Sequence, residues 1–209
     1  MSGVPAPLVY LVDDNDPFRR STAMLLETAG MDVRDFPGAA QLLAQLEHAA
    51  VSGLGACTVS DIRMPDMSGL ELLEEMKRRQ YTIPVIFMTA HADIPLAVEA
   101  MRRGAVNFIE KPFAAEVLIQ AIRLAAQEEL LQAHGVAAGA TRQPSSKLSS
   151  LTRRERQVLE LVVAGKFNKT IADVLGISTK TVELHRSSVM TKLGVRNVPD
   201  LVKVFLGYQ

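Results

Sequence analysis

The sequence predicts a chain of two domains, a doubly wound parallel α/β domain followed by a small all-α domain. Five short apolar, β-branched runs alternate with segments of helical spacing in the first part of the chain. Small and polar residues at 134–146 interrupt this pattern, and only helical signals follow. We therefore predict domains at 1–127 and 148–209, joined at 128–147 by a helical extension and a flexible linker.

The five apolar runs are the predicted strands. They are LVYLV (8–12), VRDF (33–36), CTVS (57–60), PVIFM (84–88) and VNFI (106–109). Strands that alternate with helices form a parallel sheet covered on both faces, because each crossover is right-handed. Ligands of such sheets bind beyond the carboxyl ends of the strands.

Polar side chains stand where four of these strands end. Asp13 and Asp14 follow the first strand, Asp61 the third, Thr89 the fourth and Lys111 the fifth. Three carboxylates at one sheet edge repel one another unless a cation shares the site. Oxygen-only ligands suit Mg²⁺ (or Mn²⁺), which also accepts phosphate oxygens. The pattern therefore indicates phosphoryl transfer to a carboxylate.

The C-terminal part predicts four helices. Thr152 and Glu155 form a capping-box pattern at the start of the first. The other predicted boundaries are Gly165 after the first helix, Gly176 after the second, Ser178 or Thr179 before the third, Leu193 at its end, and 198–205 for the fourth. The apolar positions expected to form the small core are Val158, Leu161, Ile171, Val174, Leu175, Ile177, Val182, Val189 and Leu193.

Charge is distributed unevenly along a chain whose net charge is zero. Residues 1–146 carry 12 basic and 18 acidic side chains, a net charge of −6, whereas residues 147–209 carry 11 and 5, a net charge of +6. A compact basic module favours a polyanionic partner, because phosphate contacts release counterions. The alternative is a solvated charged surface without a partner.

Composition argues against membrane and disulfide-rich classes. No apolar run approaches the roughly 18–20 residues of a membrane span, and the start MSGVPAP lacks the pattern of a signal peptide. The lone Cys57 lies in an apolar run, where a small buried hydrophobe is expected. We expect a cytoplasmic protein that does not contact membranes.

Four motifs carry a family resemblance across residues 8 to about 127. They are VDDN (12–15), DIRMPDMSG (61–69), MTA (88–90) and EKPF (110–113). This segment resembles the receiver domain of two-component response regulators. The resemblance implies the flavodoxin-like strand order 2-1-3-4-5 and a cis peptide bond before Pro112.

The resemblance also implies a role for each site residue. Asp61 would accept a phosphoryl group from a cognate sensor histidine kinase. The implied Mg²⁺ ligands are Asp13, through a metal-bound water, Asp14, Asp61 and the backbone carbonyl of Arg63. The implied switch and phosphoryl-binding residues are Thr89, Ala90, Phe108 and Lys111.

Residues 148–209 contain a helix, a short turn at Gly176 and a second helix, the arrangement that lays a recognition helix in the major groove. They resemble the LuxR or FixJ-type helix-turn-helix output domain along nearly their full length. The resemblance implies that Glu183, Leu184 and Ser187 face base edges. The expected phosphate contacts are Lys169, Thr179, Lys180, Thr181, His185, Arg186 and Lys192.

The two resemblances together imply a DNA-binding response regulator. Phosphorylation would promote a homodimer on double-stranded promoter DNA. The opposite net charges of the two parts suggest a further hypothesis, that phosphorylation also frees the basic domain from the acidic receiver. RNA polymerase is an expected partner, and activation is the commoner outcome in the family. Such a chain is not an enzyme beyond the gain and loss of its own phosphoryl group.

Two other function classes fit the pattern less well. An aspartyl-phosphate phosphatase or phosphotransferase places its nucleophile after the first strand in an Asp-x-Asp arrangement, whereas Asp13 and Asp14 are adjacent here. A constitutive DNA-binding module with an inactive receiver would be expected to have lost one of the five site residues, and none is lost.

Overall fold

The structure is a computed structural model that describes residues 6–48, 55–90, 94–133 and 146–207. Contacts divide the chain into two compact units, residues 1–91 with 103–138, and residues 92–102 with 139–209. The predicted linker of small and polar residues, apart from Ser146, lies outside the described residues.

The alternation of strands and helices predicted for the first part of the chain is present. In chain order the elements are β1 (Leu8–Val12), α1 (Asp16–Thr28), β2 (Asp32–Phe36), α2 (Ala39–His48), β3 (Ala56–Asp61), α3 (Gly69–Arg78), β4 (Val85–Thr89), α4 (Ile94–Arg102), β5 (Asn107–Glu110) and α5 (Ala115–Ala133). Each strand lies within one or two residues of its predicted bounds.

The five strands form one parallel sheet in the order β2-β1-β3-β4-β5, which confirms the predicted topology. Val12 pairs with Ser60, Asp61 with Met88, and Thr89 with Glu110. The carboxyl ends of β1, β3, β4 and β5 therefore meet at one edge, where the predicted polar residues stand.

Apolar side chains from alternate strand positions cover one face of the sheet together with two helices. Val9, Leu11 and Val59 pack in one buried cluster with Leu26 of α1 and Ile122 of α5. Strand residues of the opposite parity face the other way, and α2 contacts β1, β2 and α3. The resulting core holds the carboxyl edge of the sheet in place.

Two N-caps fix the loops at that edge. The side chain of Asn15 accepts a hydrogen bond from the backbone N–H of Phe18 and begins α1 directly after the two aspartates. Ser68 and Glu71 form a capping box at the start of α3, which follows the loop after Asp61. Each cap satisfies backbone donors that a helix start leaves unpaired.

The helices predicted for the C-terminal part are all present. They follow the 3₁₀ segment η1 (Ser146–Ser150) and are α6 (Arg153–Val163), α7 (Asn168–Leu175), α8 (Thr179–Leu193) and α9 (Val198–Leu206). Thr152 and Glu155 form the predicted capping box. Gly176 ends α7 at φ +64°, a left-handed conformation that favours glycine. Ser178, rather than Thr179, caps α8.

The predicted core of this part is correct at its centre and wrong at Val174. Val158, Ile171, Val182 and Val189 are buried, whereas Val174 is 62% exposed. At 3.6 residues per turn, Val174 lies about 105° around α7 from the centre of the face formed by Ile171, Ala172 and Leu175. Spacing of three residues from the buried Ile171 therefore does not bury Val174, because Ala172, the other buried residue of α7, lies on the opposite side of Ile171.

Candidate functional site

A lysine joins two aspartates at the carboxyl edge of the sheet. The Lys111 ammonium donates to Oδ2 of Asp13 at 2.7 Å and to Oδ1 of Asp61 at 2.7 Å. Asp13 is 1% exposed and Asp61 is 7% exposed. Lys111 lies 98 positions after Asp13 and 50 positions after Asp61 in the sequence. The three residues form one charged cluster because the parallel strands bring their carboxyl ends together.

Groups around Asp61 shift the pKa of its carboxyl in opposite directions. Burial raises the pKa of the Asp61 carboxyl above its ordinary value, the hydrogen bond and charge of Lys111 lower it, and the nearby Asp13 raises it. The backbone N–H of Arg63 donates to Oδ2 of Asp61 at 2.9 Å. Both oxygens of this carboxylate therefore have donors, which orient the side chain.

A buried arginine that the sequence analysis missed is hydrogen-bonded to the backbone of Asp13. Arg19 is 7% exposed, and its Nη1 donates to the backbone carbonyl of Asp13 at 2.7 Å. Its Nε donates to Asp35 at 2.9 Å, and its other nitrogen pairs with Asp16. A detectable signal was present, because Arg19 stands three and seven positions before the buried Thr22 and Leu26, on the inward face of α1.

An aromatic ring lies beside the lysine. The Lys111 ammonium is 4.0 Å from the ring centroid of Phe18, a distance at which the negative face of the ring attracts a cation. Phe18 in turn packs edge-to-face on Phe113, with 6.1 Å between centroids. The Lys111–Pro112 peptide bond is cis, as the resemblance implied. The ring and the two carboxylates thus place the Lys111 ammonium between Phe18, Asp13 and Asp61.

The remaining predicted residues of this site occupy different environments. Asp14 is exposed, as is Ala90, whereas Thr89 is 1% exposed and Phe108 is 7% exposed. The backbone N–H of Lys111 donates to the carbonyl of Thr89 at 2.7 Å, which couples the ends of β4 and β5. The structure thus joins Asp13, Asp61 and Lys111 directly and places Asp14 beside them in solvent.

The second candidate site is the exposed face of α8. At 3.6 residues per turn, Lys180, Leu184, Ser187 and Thr191 fall within an arc of about 60°, and all four are exposed. Glu183 is also exposed at one border of this arc. The buried Val182, Val189 and Leu193 lie on the opposite side of the helix. We call these five exposed residues the α8 face; Thr191 was not predicted as part of it.

The predicted phosphate contacts divide by their environment. Lys169, Thr179 and Lys180 are exposed, and Thr181 and His185 are half-buried. Arg186 is half-buried and donates to Asn168 at 2.7 Å, and burial lowers the pKa of its guanidinium. The Lys192 ammonium donates to Glu155 at 2.7 Å. Arg186 and Lys192 thus already bind groups of their own unit.

Two family models match the chain. The model of the response regulator receiver domain matches residues 9–123, and that of the bacterial regulatory proteins of the luxR family matches residues 149–205. The chain belongs to the response regulator family. It combines a receiver domain with a LuxR-type DNA-binding domain, and is a two-component transcriptional response regulator rather than a member of a known enzyme family.

Full-length relatives share both domains of this response regulator. The transcriptional regulatory protein FixJ of Azorhizobium caulinodans is 44% identical over 198 residues, which cover 95% of this chain and 91% of the relative. FixJ of Rhizobium meliloti is 44% identical over 202 residues, with 95% and 94% covered.

Two solved structures of response regulators also match nearly the whole length of this chain. Full-length FixJ from B. japonicum matches with a TM-score of 0.58 and 38% identity, covering 98% of each chain. The response regulator StyR matches with a TM-score of 0.55 and 41% identity, covering 95% of this chain and 98% of that one. Within the described ranges of this response regulator, none of the helices is both long and apolar enough to cross a membrane.

The donor set of the receiver site fits Mg²⁺. Oδ2 of Asp13 and Oδ1 of Asp61 already face one positive charge, the Lys111 ammonium. The acidic side chains proposed as metal ligands offer only carboxylate oxygens. Among the described residues, no three His, Cys, Asp or Glu side chains enclose a common metal position. Mg²⁺ suits such a site, because it uses one or two carboxylates and keeps several waters.

Gly69 packs closely against the end of β3 because it has no side chain. A Cβ atom placed there would stand 2.5 Å from the backbone oxygen of Asp61, 2.8 Å from Cε1 of Phe87 and 3.1 Å from Cα of Ile62. The N–H of Gly69 also donates to the carbonyl of Ile62 at 3.0 Å. The start of α3 therefore packs directly on the backbone that carries Asp61.

We expect Gly69→Ala to lower the free energy of unfolding of the receiver domain by about 1–2 kcal/mol, because the methyl group displaces backbone rather than a flexible side chain. Urea unfolding followed by circular dichroism measures this change. Gly38→Ala is the matched control and should change stability little, because the position that its methyl group would take lies 3.1 Å from Oε1 of Gln41, the end of a flexible side chain, and its backbone is not left-handed. Equal stability of Gly69→Ala and the parent would contradict the packing argument.

Proposed function

We propose that Asp61 is the phosphoacceptor of this response regulator and that its phosphorylation controls DNA binding by the α8 face. The observation that carries the proposal is the Lys111 ammonium bonded to both Asp13 and Asp61 at the carboxyl edge of the sheet. A carboxylate with an adjacent carboxylate and a movable cation is the arrangement that phosphoryl transfer requires.

The chemistry proposed for Asp61 is in-line attack on phosphorus. One Asp61 oxygen forms a bond to the phosphorus of a kinase phosphohistidine, the P–N bond breaks, and the imidazole leaves with the electron pair. The burial that raises the pKa of Asp61 also removes water from the nucleophile, while the hydrogen bond and charge of Lys111 oppose that rise and favour the ionised carboxylate. Lys111 then moves from Asp61 to a phosphoryl oxygen, and Thr89 donates to another.

A bound Mg²⁺ would neutralise charge on the phosphoryl group. Its proposed ligands are Asp14, Asp61 and the backbone carbonyl of Arg63, with Asp13 acting through water. The exposure of Asp14 supports this assignment, because a hydrated ion can reach it. Mn²⁺ offers the same preference for oxygen ligands.

The receiver is proposed to transmit phosphorylation through Thr89 and Phe108. Phe108 is buried in β5 and pairs with Phe87 of β4, so a shift of Thr89 at the end of β4 reaches it through one strand pairing. We propose that these shifts alter the surface of the receiver and that two receivers then dimerise through it in the cytoplasm. The dimer places two α8 helices on promoter DNA and contacts RNA polymerase to activate transcription.

The proposal is tested on the full chain incubated with Mg²⁺ and acetyl phosphate. Intact-mass spectrometry should show the gain of one phosphoryl group, and borohydride reduction of the acyl phosphate should leave homoserine at residue 61. Chelation of the metal is the control and should prevent the gain. Gel filtration and binding to duplexes selected from a random-sequence library should show a dimer with higher affinity after phosphorylation.

No gain in mass under conditions that modify a control receiver would refute phosphorylation and leave a constitutive DNA-binding protein. Homoserine at a position other than 61 would refute the assignment of the phosphoacceptor alone. Phosphorylation without any change in assembly or DNA affinity would refute the coupling between the two domains.

A further inference from the structure

An exposed leucine lies in the middle of the polar α8 face. Leu184 is 65% exposed, and its neighbours on this face, Lys180, Glu183 and Ser187, are all charged or polar. It lies about 160° around the helix from the centre of the set formed by Val182, Val189 and Leu193. Repacking within its own domain therefore cannot bury it.

The chemistry of Leu184 restricts what it can recognise. Its side chain has no hydrogen-bond donor or acceptor, so it gains free energy only by covering another apolar surface. The apolar group that B-DNA presents in the major groove is the C5-methyl group of thymine. Polar base edges would lose water against a leucine without gaining a hydrogen bond.

The surroundings of Leu184 favour DNA over a protein partner. A protein-binding surface would be expected to continue Leu184 with further apolar residues, whereas Lys180, Glu183 and Ser187 are its exposed neighbours on the α8 face. The domain carries a net charge of +6 over residues 147–209. A single apolar contact among polar and charged groups, on a domain with net positive charge, suits a duplex groove, where phosphates flank base edges.

We propose that Leu184 is a specificity-determining residue that recognises thymine by its C5-methyl group. The inference rests on the proposed DNA-binding function of the α8 face and names one base that this face selects. Glu183 and Ser187 supply the polar contacts to neighbouring bases, and Leu184 supplies the discrimination that hydrogen bonds cannot provide.

Replacing thymine by uracil tests the proposal, because uracil lacks only this methyl group. The full chain, in whichever phosphorylation state binds more tightly, is first used to select a duplex from a random-sequence library. Variants of this duplex then carry uracil in place of one thymine at a time. At one thymine of the site bound by each α8 helix, uracil should weaken binding of the parent about fourfold, the value of one buried methyl group. Leu184→Ala should bind the two duplexes equally.

Two matched variants make the result specific. Val174→Ala removes an apolar side chain of similar exposure, 62%, from the neighbouring α7, and should keep the full preference for thymine. Leu184→Met preserves apolar volume and should keep most of it. A mere loss of folding in Leu184→Ala would weaken binding to both duplexes, whereas the proposal concerns their ratio.

Each other outcome has a definite meaning. Equal binding of thymine and uracil duplexes by the parent, or an unchanged preference in Leu184→Ala, overturns the role of Leu184 while DNA binding stands. A Leu184→Ala variant that changes only the dimer population on gel filtration assigns the residue to a second copy of the chain. No enriched sequence and no duplex binding overturn the proposed function and this inference together.

Discussion

Lys111→Met should lower the rate of phosphoryl transfer to Asp61 by about 100- to 1000-fold, the typical effect of removing one preorganised donor from a developing charge. The ammonium lies 2.7 Å from Asp61 and 4.0 Å from the Phe18 ring, so it needs only a small movement to reach a phosphoryl oxygen. The initial rate with acetyl phosphate, followed by intact mass, measures the effect.

The same substitution should tighten Mg²⁺ binding, because Lys111 and the metal compete for the oxygens of Asp13 and Asp61. It should also raise the pKa of Asp61 further, since Lys111 opposes the effect of burial. The rate of phosphorylation requires the ionised carboxylate, so the pH at which it reaches half its maximum should rise.

Isothermal titration calorimetry with Mg²⁺ separates this prediction from simple misfolding. Lys166→Met removes an exposed lysine from the other domain and should change neither quantity. Weaker metal binding by Lys111→Met, together with slower transfer, would show that the ammonium organises the carboxylates and does not compete for them.

Strand positions and the acidic site could be predicted from the sequence because both follow from the chain's local pattern. Apolar runs of four or five residues between helical segments specify a parallel sheet, and residues that follow parallel strands must meet at one edge. Asp13, Asp61 and Lys111 come together for that reason, without any contact visible in the local sequence.

Contacts that depend on the direction of a side chain could not be predicted in this way. Lys192 was predicted to contact phosphate, yet its ammonium binds Glu155 on α6. Arg186 turns towards Asn168 on α7. Arg19 was overlooked because charged residues are assumed to face solvent, and here three hydrogen bonds to acidic or carbonyl oxygens offset its burial.

Glu155 on α6 is bonded to two side chains of α8 and so links these two helices of the DNA-binding domain. It is 5% exposed and accepts from Ser188 at 2.6 Å, from Lys192 at 2.7 Å and from the backbone N–H of Thr152 at 2.8 Å. The hydrogen bond from Lys192, followed by those from Ser188 and Thr152, lowers the pKa of its carboxyl to about 2. The carboxylate form is thus favoured by the fold.

Because the folded pKa of Glu155 is lower than its ordinary value of 4.5, its contribution to stability is complete well above pH 4.5 and is lost as the pH falls towards 2. The full shift corresponds to about 3 kcal/mol. Solvent screens the pair, since the Lys192 side chain is 35% exposed, and we therefore expect a contribution of about 2 kcal/mol.

Glu155→Gln should therefore lower the free energy of unfolding of the DNA-binding domain by about 2 kcal/mol at pH 7, and the difference from the parent should shrink by about 1 kcal/mol at pH 4. Urea titrations of the full chain, followed by the NMR amide signals of α8, measure both values. Glu160→Gln changes an exposed glutamate on the same helix and should be neutral at both pH values. A loss that did not depend on pH would assign the effect to packing of the side chain and would refute the ion pair as its cause.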